Sequence, residues 1–301
     1  MKSDLFTTRL LISSVPNSFT FGAVLAFLQP GNWLISWLSF SFLFLLSFLL
    51  FAISSRWATD LPAVDRQPPT EPALSFKGSP ARITFAVLVG AAFALRLFVG
   101  TALYLALPIN GYDDPDDRAG YVFTDAHRRD DQAWELASSD QSILTAFDRS
   151  FHTDQYGGLL AFCALAYRYV SPDAHRPLLL ILLSAFIATI GLVFLWKSAT
   201  TLFGEKVALA ACWIYALYPE SILLGGAAMR EPYLMTFSAM ALWGFASWRA
   251  TTNLQPSTAN RPLPITPLGL TWLALDVCYL RPLERATVQR WGLTVDAERR
   301  T

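Results

Sequence analysis

The sequence is dominated by apolar runs of about 20 residues, the length that a helix needs to cross the hydrocarbon core of a bilayer. Of the 301 residues, 53% are hydrophobic and only 15% are charged. The pattern predicts an all-α fold, a polytopic transmembrane helical bundle in contact with the lipid bilayer, with about seven spans. We place these spans at 10–29, 33–54, 83–107, 177–196, 207–227, 233–248 and 264–280.

The chain divides into four segments. Residues 1–56 are predicted to form an N-terminal transmembrane hairpin, because an uncharged turn joins the first two runs. Residues 57–82 are a proline-rich polar linker, 83–282 hold the other spans together with an outer loop at 108–156, and 283–301 are a polar C-terminal tail. Positive charge near span ends favours the cytoplasm, which puts the linker inside and the loop outside an inner (plasma) membrane.

A further apolar run at 156–167 is too short to span, since twelve helical residues rise about 18 Å against a core of about 30 Å. We predict a helix lying at the interface. In that topology Met229 to Pro232 lie outside, level with the loop. If the run crosses instead, these residues are cytoplasmic. The first arrangement is favoured because it also places Arg249 and Arg261 inside.

The polar loop is strongly acidic, with eleven Asp or Glu residues against four arginines between Tyr112 and Tyr156. Residues 126–138 are predicted to be helical, with Asp130 on the same face as small and aromatic side chains. A carboxylate turned toward the protein or the membrane surface loses water and becomes a stronger base.

The alternative for these acids is an ordinary solvated surface. In that interpretation Asp125 pairs with Arg129, and Arg128 pairs with Asp131. For most acids of the loop the surface interpretation is the better one. For Asp130 both interpretations stay open.

A second charged feature is the Arg230-Glu231 pair in Met229-Arg230-Glu231-Pro232, which stands where the chain turns between two apolar runs. The two side chains either mark the interface or contribute to chemistry, with a carboxylate for a metal or an acceptor hydroxyl and a guanidinium for a phosphate. Arg281, at the end of the last span, is a further candidate for a phosphate. Arg96 lies inside a span and is either functional or structurally paired.

Several classes of site are not indicated. There is no phosphate-binding glycine loop, no nucleophile-elbow serine and no pair of histidines or cysteines at metal-ligand spacing. His127, His152 and His175 are scattered in or near loops. The net charge of +0 gives no reason to expect nucleic acid as a partner.

The order of these features resembles the GT-C membrane glycosyltransferases, in particular the protein mannosyltransferase and aminoarabinose transferase branch. The resemblance runs over 83–282. It rests on the following segments: Ala91-Ala92-Phe93-Ala94-Leu95-Arg96, Thr124-Asp125-Ala126-His127-Arg128-Arg129-Asp130-Asp131, Tyr156-Gly157-Gly158-Leu159-Leu160, Leu202-Phe203-Gly204-Glu205-Lys206, Tyr218-Pro219 and Met229-Arg230-Glu231-Pro232.

The resemblance implies an enzyme that moves a sugar from a polyprenyl-phosphate donor to an extracytoplasmic acceptor. Asp130, with Asp131 or Asp125 as substitutes, takes the position of the base, and Glu231 that of a second acidic residue. Asp130 and Glu231 are then the ligands of a divalent cation, Mg²⁺ or Mn²⁺. The resemblance then implies that three arginines bind the donor phosphate: Arg230, Arg281 and Arg96.

The basic C-terminal tail would lie outside in this topology, against the positive-inside trend, so we expect either a last span that does not cross or an incomplete version of a longer protein. Members of the GT-C family generally have more spans and a C-terminal portion beyond this chain, so the resemblance implies that an acceptor-binding part is missing. Two other functions stay open. One is a transporter or flippase for a lipid-linked saccharide. The other is a non-catalytic membrane subunit.

Overall fold

The computed structural model describes residues 2–59, 80–147 and 157–253, and this part of the chain is all-helical. The predicted span 264–280, the tail 283–301, Arg281 and most of the linker lie outside the described residues. The helices are α1 Lys2–Phe27, α2 Trp33–Thr59, α3 Pro80–Asn110, α4 Pro115–Arg118, α5 Thr124–Ser138, a 3-10 turn Ile143–Phe147, α6 Gly157–Val170, α7 Pro177–Phe203, α8 Glu205–Leu217, α9 Pro219–Gly225 and α10 Glu231–Asn253.

Three helices in the described ranges are long and apolar enough to cross a membrane: Trp33–Ser54, Thr84–Asn110 and Pro177–Phe203. They confirm helices at the spans predicted at 33–54, 83–107 and 177–196, with the length and apolar composition that a membrane crossing needs. The apolar helices are compatible with an integral membrane protein, while the count of seven spans stays a prediction.

The predicted span 207–227 is not one straight helix. It consists of α8 and α9, which meet at Tyr218-Pro219 with a bend of 62°. Pro219 occupies the first turn of α9, where the missing N–H of proline costs no helical hydrogen bond. If the bent pair is counted as one span, the described residues hold up to four.

α7 is the central helix of the bundle. It is apolar on all sides, and α2, α3, α8, α9 and α10 all pack against it. Trp196 stacks on Phe85 of α3 with ring centroids 4.5 Å apart, and Phe51 of α2 lies 5.4 Å from Phe186. A helix that is hydrophobic all round needs neighbours on every side, which explains its central position.

The contacts along α7 fix the direction of its neighbours. Gly100 of α3 lies beside Ile181, whereas Phe85 lies beside Trp196, so α3 runs antiparallel to α7. The thiol of Cys212 contacts the Leu192 carbonyl and the hydroxyl of Tyr215 contacts the Ala188 carbonyl, so α8 is antiparallel to α7 as well. The C-terminal end of α3 and the start of α7 therefore lie at one end of the bundle.

Three connections meet at this end, which we call the loop end: the α1–α2 turn at 28–32, the acidic loop at 111–147 and the α6–α7 turn at 171–176. Arg176 is fully buried and joins two of them, because its guanidinium binds both Asp173 oxygens at 2.7 Å and reaches the carbonyls of Pro30 and Asn32. Hydrogen bonding to Arg176 holds the pKa of Asp173 below its usual value. The hairpin is thereby fastened to the turn before α7.

Gly31 makes this close approach possible. Its φ is +90°, in the left-handed region that favours glycine, and a Cβ there would lie 2.5 Å from the Cβ of Ala174. The predicted uncharged turn between the first two runs is therefore confirmed. Its glycine is needed both for the positive φ and for the close approach to Ala174.

Candidate functional site

α5 carries the predicted candidate Asp130 and confirms the helix expected at 126–138, beginning two residues earlier at Thr124. Its buried residues are Ala126, Arg129, Asp130, Ala133, Leu136 and Ala137. This is the inward face that the spacing predicted. Asp130 therefore lies in the protein interior, and its side chain has 0% exposure.

Three side chains surround the Asp130 carboxylate. The hydroxyl of Tyr121 donates to Oδ2, the hydroxyl of Tyr167 donates to Oδ1, and Nε2 of His175 lies 3.2 Å from Oδ1. We call these four residues the Asp130 cluster. A buried carboxylate needs such partners, because hydrogen bonds and opposite charge must replace its water.

Tyr121 enters the cluster from the short segment between α4 and α5. The preceding Gly120 has φ +86°, and a Cβ on it would come within 2.6 Å of the Tyr104 carbonyl oxygen. Only glycine fits this turn without displacing α3. Burial and the nearby charge of Asp130 raise the pKa of Tyr121, so its hydroxyl keeps its proton and acts as a donor.

Tyr167 comes from α6, the helix that corresponds to the predicted interfacial run. α6 has 14 residues and packs mainly on α5 and the 3-10 turn. Arg168 fixes it there by donating to the carbonyls of Leu136, Ala137, Ser139 and Gln141 at 2.6 to 3.1 Å. These bonds satisfy carbonyls at the end of α5 that have no helical partner.

His175 belongs to the α6–α7 turn that Arg176 holds in place. Its ring stacks on Trp134 of α5, with centroids 5.6 Å apart and planes inclined by 19°, and meets the edge of Tyr167 at 5.3 Å. Its side chain keeps 27% exposure, although Nε2 is shielded from solvent. The exposed surface of this side chain therefore lies on atoms other than Nε2.

The pKa of His175 is raised above its usual value. Burial acts to lower it, but contact with the Asp130 carboxylate and the negative charges of Asp130 and Asp131 outweigh that effect. The imidazolium form is thus stabilised next to the buried carboxylate.

The substitutes for Asp130 lie elsewhere. Asp125 is exposed and pairs with Arg128 at 3.0 Å, while Asp131 is exposed and lies 3.4 Å from Nε2 of His127. The expected pairs Asp125–Arg129 and Arg128–Asp131 are therefore wrong. Arg129 turns inward instead, since it lies one position before Asp130 on the buried face.

Arg230 and Glu231 pair with each other, Nε to Oε1, at 3.1 Å. Both are partly exposed, and Glu231 begins α10 with Pro232 in its first turn, as predicted. The other carboxylate oxygen of Glu231 is buried and has no hydrogen-bond partner among the described residues.

The turn 226–230 belongs to the same end of the bundle as the Asp130 cluster. Ala228 lines one small cavity together with Tyr121 and Val122. Tyr233, in the first turn of α10, meets Phe162 of α6 edge to face at 5.7 Å. The Arg230–Glu231 pair therefore lies near the loop end.

Arg96 is fully buried and holds the bent pair α8–α9 against α3. Its guanidinium donates to Ser221 Oγ at 2.8 Å and to the Tyr215 carbonyl at 3.3 Å, and it lies 5.3 Å from the centre of the Tyr215 ring. Gly225 packs directly on its side chain. These contacts favour the structural role that the sequence left open.

A divalent cation does not fit the Asp130 cluster as described. Both carboxylate oxygens already accept hydrogen bonds from tyrosine hydroxyls, and hard cations prefer several oxygen ligands. Within the described ranges, no group of three or more His, Cys, Asp or Glu residues could hold a metal ion, so Glu231 does not complete a site with Asp130 and His175. That Asp130 and Glu231 bind a divalent cation therefore stays a prediction from the resemblance.

The sequence pattern did not identify His175 and Tyr167 as partners of Asp130. They lie 45 and 37 positions away along the chain, so no periodicity connects them to α5. The sequence signal nearest to them is Pro177, which predicts where α7 starts and hence where the turn holding His175 ends. Comparison of the chain with protein-family models, with curated proteins and with solved structures gave no match.

Proposed function

We propose that this protein is a membrane glycosyltransferase that moves a sugar from a polyprenyl-phosphate donor to an extracytoplasmic acceptor, which is a lipid, a glycan or a protein. One observation carries the proposal. Asp130 is buried at the loop end, surrounded by tyrosine hydroxyls and a histidine. Sugar transfer needs a group that removes the acceptor proton, and a carboxylate–imidazole pair is suited to that task.

The charged turn at the start of α10 supports the same proposal. Transfer from a polyprenyl phosphate releases a phosphate anion, which a guanidinium stabilises by paired hydrogen bonds. Arg230 is partly exposed and lies near the loop end, so we assign it to the donor phosphate. Arg281 would add to this site, and Glu231 would orient Arg230 or the acceptor.

The proposal includes a topology. The chain crosses an inner membrane about seven times, α6 lies at the interface, and the loop end faces the extracytoplasmic side. A lipid-linked donor would then reach the site from the bilayer.

The test is sugar transfer by membranes that contain matched variants. We expect Asp130→Asn and Glu231→Gln each to reduce transfer from a short-chain polyprenyl-phosphate sugar by about 100-fold or more. Asp140→Asn and Glu135→Gln are the controls, since both residues are exposed acids of the acidic loop. They should stay within about threefold of wild type, and all four variants should accumulate normally. Undiminished transfer by Asp130→Asn and Glu231→Gln would refute the proposal.

A transporter or flippase for a lipid-linked saccharide is the second candidate, and the bent pair α8–α9 favours it. Transporters bind their substrates at helices that are interrupted within the membrane, next to ionisable residues. Here the interruption at Tyr218-Pro219 lies beside the buried Arg96.

The two candidate functions differ in the residue on which activity depends. A flippase in proteoliposomes would move a fluorescent lipid-linked saccharide across the bilayer without consuming it, and Arg96→Gln would stop this movement while Asp130→Asn would not. For the glycosyltransferase, Asp130→Asn would stop sugar transfer while Arg96→Gln would not.

A further inference from the structure

We infer that His175 is the group that takes the proton of the acceptor hydroxyl, and that Asp130 is its positioning residue. The inference rests on the proposed glycosyl transfer and assigns a role within its site. It differs from the expectation from sequence, in which the Asp130 carboxylate itself is the base.

Access is the first argument. Asp130 has no exposed side-chain surface, and both of its oxygens already accept hydrogen bonds from Tyr121 and Tyr167. An acceptor hydroxyl would have to enter the protein interior to reach it. His175 touches the same carboxylate, yet part of its ring is open to solvent.

The orientation of the imidazole is the second argument. Nε2 lies 3.2 Å from Asp130 Oδ1 and is shielded from solvent. Although this contact lacks hydrogen-bond geometry, the negative charge of the carboxylate favours the neutral tautomer with its proton on Nε2. The lone pair is then on Nδ1. Stacking on Trp134 and the edge of Tyr167 restrain rotation of the ring, which preserves this orientation.

The chemical step balances with these groups. Nδ1 of His175 takes the proton from the acceptor hydroxyl while the hydroxyl oxygen forms a bond to the anomeric carbon of the sugar. The bond from that carbon to the phosphate oxygen breaks, and its electron pair leaves with the polyprenyl phosphate. Asp130 stabilises the resulting imidazolium, which later returns the proton to solvent or to the phosphate.

The charged and titratable groups around His175 come from each element that packs on it. α5 supplies Asp130 and Asp131, α6 supplies Tyr167, and its own turn supplies the Asp173–Arg176 pair. The two α5 carboxylates raise the pKa of His175, and only its neutral form can accept a proton. Transfer should therefore increase as pH rises through this pKa, and removal of the Asp130 charge should shift that increase to lower pH.

The experiment uses His175→Gln, because a glutamine amide can still donate to Asp130 but cannot take a proton at neutral pH. His127→Gln is the control, since His127 also pairs with carboxylates on α5 and in the same loop. With wild-type protein and a short-chain polyprenyl-phosphate sugar, we expect His175→Gln to lower kcat about 100-fold or more with little change in donor KM. The His127→Gln variant should remain within about threefold of wild type.

A second measurement does not depend on the folding of His175→Gln. The chain has 3 histidines, so replacement of His127 and His152 by glutamine leaves His175 alone. In this background, modification of histidine by diethyl pyrocarbonate should abolish transfer, at a rate that rises as His175 loses its proton. The same background with Asp130→Asn should shift that rise to lower pH.

The outcomes separate the two proposals. If His175→Gln transfers sugar within threefold of wild type, or if modification leaves activity intact, the role of His175 is refuted while the glycosyltransferase stands with Asp130 as its base. If wild-type protein transfers no sugar from any polyprenyl-phosphate donor, both proposals are refuted.

Discussion

Asp130 depends strongly on its neighbours, because an ionised carboxylate in the protein interior is stable only when hydrogen bonds replace its water. Two tyrosine hydroxyls and one imidazole meet this demand. Each comes from a different segment, so the carboxylate ties α6, the α4–α5 connection and the α6–α7 turn to α5.

Loss of one hydroxyl should therefore destabilise the protein. We expect Tyr167→Phe to lower the free energy of unfolding by about 1–3 kcal/mol, since a buried carboxylate oxygen loses its donor. Tyr169→Phe is the matched control on the same helix, because Tyr169 is 73% exposed. Denaturation in detergent micelles gives both values, and equal stability of the two variants would contradict the proposed importance of this bond.

The raised pKa of His175 has a consequence for stability. Stabilisation from a group whose folded pKa is raised is fully present below its unfolded pKa, about 6.5, and is lost as pH rises through the folded pKa. The melting temperature of wild type relative to His175→Gln should therefore be higher at pH 6 than at pH 8.5. A difference that is independent of pH would show that the imidazolium is not stabilised by folding.

Part of this cluster could be predicted from the sequence. The spacing placed Asp130 on one face of α5 with Ala133 and Ala137, and the burial of that face decides between the two interpretations that the sequence left open. The partners could not be predicted, because they depend on the position of the α6–α7 turn, which the Arg176 clamp to Asp173 and Asn32 determines. That clamp joins residues more than 140 positions apart.

A close backbone contact joins α3 to the turn after α9. A Cβ on Gly100 would overlap the Gly226 carbonyl oxygen and lie 2.7 Å from Ile181 Cγ2. Small residues allow such close approach of backbones in membrane proteins, where packing rather than the hydrophobic effect holds helices together.

Gly100→Ala should accordingly disturb the bent pair α8–α9. We expect a loss of about 1–3 kcal/mol, typical of overpacking. Gly90→Ala is the control on the same helix, because a Cβ there meets nothing within 4 Å among the described residues. Since alanine has a higher helix propensity than glycine, the control should be as stable as wild type or more stable. The measurement is the melting temperature of both variants in the same detergent. A Gly100→Ala variant as stable as the control would contradict the close contact of Gly100 with Gly226.

The helices themselves were largely predictable, because long apolar runs bounded by Pro, Gly and Asn leave few alternatives. The predicted turn at 29–32 and the first turn of α10 at Glu231-Pro232 both agree with the structure. The bend between α8 and α9 was not predicted, although Tyr218-Pro219 carried the signal. The two helices together are still apolar enough for one span, and so the run was interpreted as continuous.

At the scale of the whole molecule, the arrangement of the charged features depends on whether α6 crosses the bilayer. Its 14 residues rise about 21 Å, which is less than the hydrocarbon core of about 30 Å. It also packs chiefly on α5 and the 3-10 turn rather than along α7. Both observations favour an α6 that lies at the loop end.

This arrangement predicts the labelling of single cysteines in intact cells by an impermeant thiol reagent. In a background without Cys163, Cys212 and Cys278, Ser138→Cys and Met229→Cys should react from the same side, because α5 and the turn 226–230 belong to the loop end. Phe203→Cys is the control, since Phe203 is 67% exposed and lies at the opposite end of α7.

The control should react only after the membrane is permeabilised. If Ser138→Cys and Met229→Cys react from opposite sides, α6 crosses the membrane and Arg230 cannot act on a phosphate at the Asp130 cluster. The glycosyltransferase proposal would then lose its phosphate site, and the transporter would become the better interpretation, because its argument from Arg96 and the bent pair does not depend on the side that Met229 faces.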